Sequence, residues 1–149
     1  MHFSLPELSA LRQAQGQQVE KVFYTYWKNL AHPDGRFEVL EWVELLLGSG
    51  QVLAITTDEE HKGLILAEFN FGEEKVRIQR QFQGQVSLER LEQDLNPTWR
   101  NLFRRKLSIG LLPPSQGNYP SQLLHLIFGN TLIEIGMDQE GLNVTRGKV

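Results

Sequence analysis

The chain of 149 residues contains no cysteine. Disulfides, thiolate catalysis and cysteine-based zinc sites are therefore excluded. Long apolar runs are missing too: the longest are six or seven residues and are bounded by charges. A membrane-spanning helix needs about 18 or more. The opening MHFSLPELSALRQAQGQQ lacks a basic segment followed by an apolar core, so no signal peptide is expected and the cytoplasm is the expected compartment. His2, His32, His61 and His125 show no metal-ligand spacing among themselves. No G-x-S-x-G is present; Gly48 directly precedes Ser49, and a tight turn accounts for Gly48-Ser49-Gly50. Strand-like segments flank each glycine cluster, whereas a phosphate-cradling loop needs a strand on one side and a helix on the other. Neither a catalytic residue, a metal nor a cofactor is expected.

What remains is ordinary for a globular chain. The hydrophobic share of 40% and charged share of 22% argue against disorder. Such a length suits one domain that buries roughly two-thirds of its unfolded surface. The net charge of −3 is unevenly spread. From Lys75 to Lys106 there are eight basic and three acidic residues, against seven basic and fifteen acidic elsewhere. This asymmetry suggests a dipolar surface with an acidic side.

The chain repeats itself. Trp42–Leu47 is apolar and meets the turn Gly48-Ser49-Gly50; Val52, Leu53 and Ile55 follow, then a polar break from Thr56 to Gly63, then Leu64–Phe69. Near the end, Leu123–Phe128 meets Gly129-Asn130; Leu132, Ile133 and Ile135 follow, then Asp138-Gln139-Glu140-Gly141, then Leu142 and Val144. Short apolar runs punctuated by Gly, Asp and Ser are strand-turn-strand signals. Upstream, Val19–Trp27 has strand composition, with Leu107–Leu112 as its counterpart. The loop His32-Pro33-Asp34-Gly35 corresponds to Pro113–Asn118. Each copy opens on a short helix-like piece, Pro6–Leu11 with Ser4 as cap and Pro97–Leu102 with Asn96 as cap.

The expected fold is therefore α+β and β-rich: two tandem antiparallel four-stranded meanders with short helices, related by a pseudo-twofold and packed as a sandwich or one curved sheet. One domain, 1–149, would hold two repeats of about 3–71 and 96–146, joined by a 72–95 connector. Each meander needs its apolar face covered, and two copies can cover each other. Within the connector, Glu74–Phe82 reads as either helix or strand, and Val86–Leu91 is similarly ambiguous; one helix and one strand is the favoured assignment. The pattern of strand, Asp/Asn-Gly turn, strand, acidic residues and Gly-Leu resembles small uncharacterised bacterial proteins associated with toxin–immunity neighbourhoods. That resemblance supplies no catalytic residue.

Several groups are candidates for binding. Glu38, Glu41 and Glu44 recur every third residue beside Trp42. Strand alternation places Glu38, Trp42 and Glu44 on one face and Glu41 on the other. Glu38 and Glu44 would lie roughly 20 Å apart, too far for a glycosidase pair, and they suit the guarding of an edge strand. Asp58 and Glu60, echoed by Asp138 and Glu140, put acidic oxygens in turns too short for a calcium loop. Trp99, Arg100, Phe103, Arg104, Arg105 and Lys106 combine cations with aromatics, as phosphate backbones and stacked bases require; a helix would put Arg100 and Arg104 on one face. Leu8 and Leu11 stand at the positions of Trp99 and Leu102 in the first repeat, which favours Trp99 and Leu102 as core anchors with the arginines in solvent. The leading expectation is a non-enzymatic protein-binding module, an immunity-type inhibitor of a basic partner. Nucleic-acid binding through Arg100–Lys106 is the alternative, and a small enzyme with Glu134, His125 and Trp42 meeting between the halves is a third. Exposed edge strands leave homodimerisation open.

Overall fold

A computed structural model describes residues 1–30 and 37–149; the loop His32–Gly35 lies outside them. The first helix, α1 (Leu5–Ala14), starts where a capping box dictates. Ser4 Oγ accepts from Glu7 N, and the Glu7 carboxylate accepts from Ser4 N. Its inward stripe buries Leu11 and Ala14.

Four antiparallel strands follow: β1 (Val19–Asn29), β2 (Phe37–Leu47), β3 (Val52–Thr57) and β4 (Leu64–Leu66). The connector forms α2 (Phe71–Gln81), capped by the Asn70 side chain, and β5 (Val86–Glu92). The latter returns along β1, from Phe23 opposite Glu92 to Asn29 opposite Val86. The first sheet thus has five strands, in the order β4-β3-β2-β1-β5, where four were expected. Without β5, the β1 backbone would present an unpaired edge.

After a three-residue 3-10 turn (Pro97–Trp99) come β6 (Ser108–Leu111), β7 (Leu124–Phe128), β8 (Thr131–Met137) and β9 (Leu142–Lys148). They form a second antiparallel sheet in sequence order. The helix expected over Pro97–Leu102 does not continue. Asn101 and Arg104 take left-handed backbone angles, φ 66° and 65°, and the tight course drives Trp99 and Leu102 together into the core.

Alternation decides which side chains are buried. Val43, Leu45 and Leu47 on β2, and Leu124, Leu126 and Phe128 on β7, are almost wholly inaccessible. They belong to one hydrophobic cluster that takes residues from both sheets, from α1 and from the Trp99–Leu107 segment. At its centre Trp99 Nε1 donates to Tyr24 Oη at 2.7 Å, and the Trp99 ring meets Phe128 edge-on. A smaller cluster lies on the opposite face of the first sheet, where Ile78 and Phe82 of the α2 region cover Trp27, Val86 and Leu88.

Two glycines mark where the sheets meet at close range. Gly141, in the β8–β9 turn, lies against Val39 and the Leu40 carbonyl at the start of β2. Gly63, in the β3–β4 turn, lies against Ser121 just before β7, and Leu64 N donates to Ser121 O. Between these contacts the chain pairs Gln18 with Lys106 in an antiparallel bridge. Among the described residues, no helix is long and apolar enough to cross a membrane.

Candidate functional site

The β1–β2 ladder slips by one residue at Glu41: Thr25 faces Trp42, but Tyr26 faces Leu40. This bulge overturns the alternation expected for the acidic triplet. Glu41 and Trp42, adjacent in sequence, line the same cleft on the outer face of the first sheet. A bulge re-aims a side chain in this way because one extra residue breaks the period of two. The Glu41 carbonyl, displaced from the ladder, accepts from Thr56 Oγ1 at 2.6 Å.

The cleft, about 260 Å³, lies between α2 and β1–β2, with Trp27, Trp42, Phe82, Leu88 and Ile78 around Glu41. Trp27 meets Phe82 edge-on, with ring centroids 6.1 Å apart. Burial raises the Glu41 carboxyl above its ordinary pKa; His61 opposes that shift and Glu74 reinforces it. Arg77 and Glu74, also on the cleft wall, are ion-paired to each other, and Arg77 Nη1 donates to Gln81.

Trp42 separates this cleft from a larger groove of about 1080 Å³. Its ring stacks on Phe69, centroids 4.3 Å apart and planes 18° from parallel. Ala54, Leu66 and Ala67 extend the apolar floor, and Glu68, Glu73, Glu74, Glu44 and Glu7 line the groove without a lysine or arginine. These acids are not equivalent. Glu7 serves the α1 cap and accepts from Leu66 N at 2.7 Å, closing part of the β4 edge. Glu44 is held by Arg90, and Glu74 by Arg77. Glu68 and Glu73 are exposed and make no ion pair among the described residues.

The other nominated acids have structural work. Glu38 shares Lys28 with Glu89 across β1. Asp58 Oδ1 accepts from Lys62 N and Gly63 N at 2.6 and 3.0 Å. Burial works to raise its pKa, but the turn N–H groups outweigh burial and hold it below the ordinary carboxylate range. Asp138 is held low chiefly by the Asn143 side chain, helped by the Glu140 and Gly141 N–H groups. Glu60 pairs with Lys62, and Glu140 is exposed on its turn. The two acidic turns are hydrogen-bonded corners, and among the described residues no group of three or more His, Asp or Glu is arranged to hold a metal.

The aromatic and basic segment is corrected as well. Trp99 is 0% exposed and bonded to Tyr24, so it offers no ring to a base. Arg100 and Arg104 share no helix face, because the helix ends after Trp99. Arg100, Arg104, Arg105 and Lys106 are exposed on successive turns. His125 and Glu134 do meet, at 3.1 Å across β7–β8. They alternate with the buried residues of the second sheet, whereas Trp42 lies on the outer face of the first; no residue from the second sheet lines the cleft or the groove beside Trp42.

Sequence reasoning missed Glu68, Phe69 and Glu73. Asn70 followed by two glutamates is a helix-start signal that fixes Glu73 and Glu74 at the α2 N-terminus, but nothing local announces that Phe69 will stack on Trp42. No protein-family model, curated protein or solved structure matches the chain.

Proposed function

We propose that this chain is a non-enzymatic protein-binding module that receives a basic segment of a partner protein, in the manner of an immunity-type inhibitor. The observation that carries this reading is the groove beside Trp42 and Phe69. It combines an apolar aromatic floor with an acidic rim, and among the described residues no cation lines it. Aromatic floors supply binding energy on desolvation, while a rim on which Glu68 and Glu73 carry no ion pair among the described residues draws in basic chains and rejects acidic ones. Within the groove, Glu68 and Glu73 are the exposed acids without an ion pair among the described residues.

We further propose that the two four-stranded meanders are tandem copies packed about a pseudo-twofold, which leaves the outer face of the first sheet free to specialise. Matching buried triplets on β2 and β7 support this, as do the reciprocal contacts of Gly63 and Gly141 and the Gln18–Lys106 bridge between them. The connector that forms α2 and β5 joins the copies in sequence and builds one wall of the cleft.

The test is fluorescence titration with a short peptide alternating arginine and valine, against one alternating glutamate and valine. Measurements at roughly 0.05 M and 0.5 M salt bracket strong and weak screening. The basic peptide should bind, more weakly at high salt, and the double variant E68K/E73K should not bind it. Equal binding of both peptides, or undiminished binding by E68K/E73K, refutes the proposal.

A further inference from the structure

One arginine site on the outer face of the first sheet is filled from within. Glu44 of β2 stands opposite Phe23 of β1, and Arg90 of β5 closes over both. Its guanidinium carbon lies 3.8 Å from the Phe23 ring centroid, and its Nε and Nη2 donate to the two Glu44 oxygens at 2.8 and 3.3 Å. An aromatic ring, a carboxylate and a planar cation together satisfy a charge that burial has stripped of water.

Three residues back along the same strand, the bulge aims Glu41 at the same face. Trp27, Trp42 and Phe82 surround it. Among the described residues its carboxylate has no hydrogen bond and no ion pair. Among the described residues, the charged groups that face it have these partners. Arg77 is held by Glu74 and Gln81; Glu74 adds a like charge, and His61 of the β3–β4 turn acts on it through space. Among the described residues, the ingredients of the Arg90 site are therefore present a second time without their cation.

We propose that this cleft receives the guanidinium group of one arginine on the bound segment, with Glu41 as its counter-ion and Trp27, Trp42 and Phe82 as its walls. A guanidinium is the favoured occupant over an ammonium because it is more weakly hydrated, stacks on aromatic faces and can donate two parallel hydrogen bonds to one carboxylate. The cleft, about 260 Å³, has room for a side-chain head. Only the identity of the arginine's bearer rests on the protein-binding reading.

The probes are N-acetyl-arginine methylamide and its citrulline counterpart, which has nearly the same shape and no charge. Indole N–H resonances of Trp27 and Trp42 report occupancy, and that of buried Trp99 reports an intact core. The arginine probe should shift Trp27 and Trp42 saturably while leaving Trp99 in place, and the citrulline probe should shift neither. E41Q, which keeps the side-chain shape, should weaken the arginine probe by about tenfold or more, the scale of a charge-assisted pair. Equal shifts from both probes, or undiminished binding to E41Q, overturn the inference. Arginine-specific shifts without capture of the basic peptide refute the protein-binding role alone. Capture that depends on Glu68 and Glu73, yet is indifferent to E41Q, refutes the arginine pocket alone.

Discussion

Gly141→Ala should destabilise the fold markedly more than Gly63→Ala, although both glycines sit in turns between antiparallel strands. Neither has a positive φ, so the difference comes from what an added methyl group meets. At Gly141 the new Cβ would overlap Val39 Cγ1 and stand 2.7 Å from the Leu40 carbonyl oxygen. That carbonyl belongs to β2, which is fixed on its other side by β1, and it cannot rotate away. At Gly63 the nearest atoms are Ser121 Oγ at 2.5 Å and Met1 Cβ at 2.7 Å. The Ser121 hydroxyl has no hydrogen-bond partner, and Met1 is half-exposed, so both can yield. Overpacking a rigid site costs about 1–3 kcal/mol, against a gain of about 0.4–1 kcal/mol from restricting the unfolded chain. The expected net loss is about 1–2 kcal/mol for G141A and under about 1 kcal/mol for G63A. Urea denaturation measures both, and each kcal/mol lost should lower Tm by about 2–4 °C at this chain length. Wild-type stability in G141A, or a larger loss in G63A, would refute the assignment of these turns as the points of closest approach.

Arg90→Ala leaves the Glu44 carboxylate, only 6% exposed, without its partner. A fully buried charge so stranded costs about 3–5 kcal/mol, but the Arg90 side chain is 33% exposed, and solvent screening reduces the expected loss to about 1–2 kcal/mol. Urea unfolding should show it, with much of it recovered in E44Q/R90M; an unchanged midpoint in R90A would sink the argument. Tyr24, one of three tyrosines, has its pKa pushed from 10.0 up to about 12, mainly by burial. Because the folded state holds this proton more tightly than the unfolded chain, the stabilisation is complete below pH 10 and is lost as pH rises from 10 to 12. Ultraviolet titration should find one phenol ionising last, together with unfolding; three phenols ionising alike near pH 10 would contradict it.

Much of the β-structure was legible because its determinants are local. Val52–Ile55 is a short apolar run and Leu132–Ile135 alternates, each bounded by turn clusters, and strands appear there, with Gly50 and Gly129 taking positive φ in the turns. The capping box at Ser4 and Glu7 specified the first helix in the same way. The candidate site was legible only in part. Glu41 and Glu44 stood out by their spacing around Trp42, but their roles depend on groups far along the chain. Arg90 neutralises Glu44 from 46 residues away, and whether a carboxylate is free or satisfied cannot be read from its neighbours in sequence. Trp99 is the reverse case: a tryptophan beside arginines reads either as a stacking surface or as a core anchor, and its partner Tyr24, 75 residues distant, settles it in the core.

By itself the sequence determined the alternating strands, the glycine and aspartate turns and the caps, because each depends on a few successive residues choosing among backbone conformations. Tertiary structure decided that β5 joins β1, that β2 bulges at Glu41 and that Phe69 stacks on Trp42. Those choices are made by pairing register and by burial across the sheet, where free energy depends on which distant groups exclude water together.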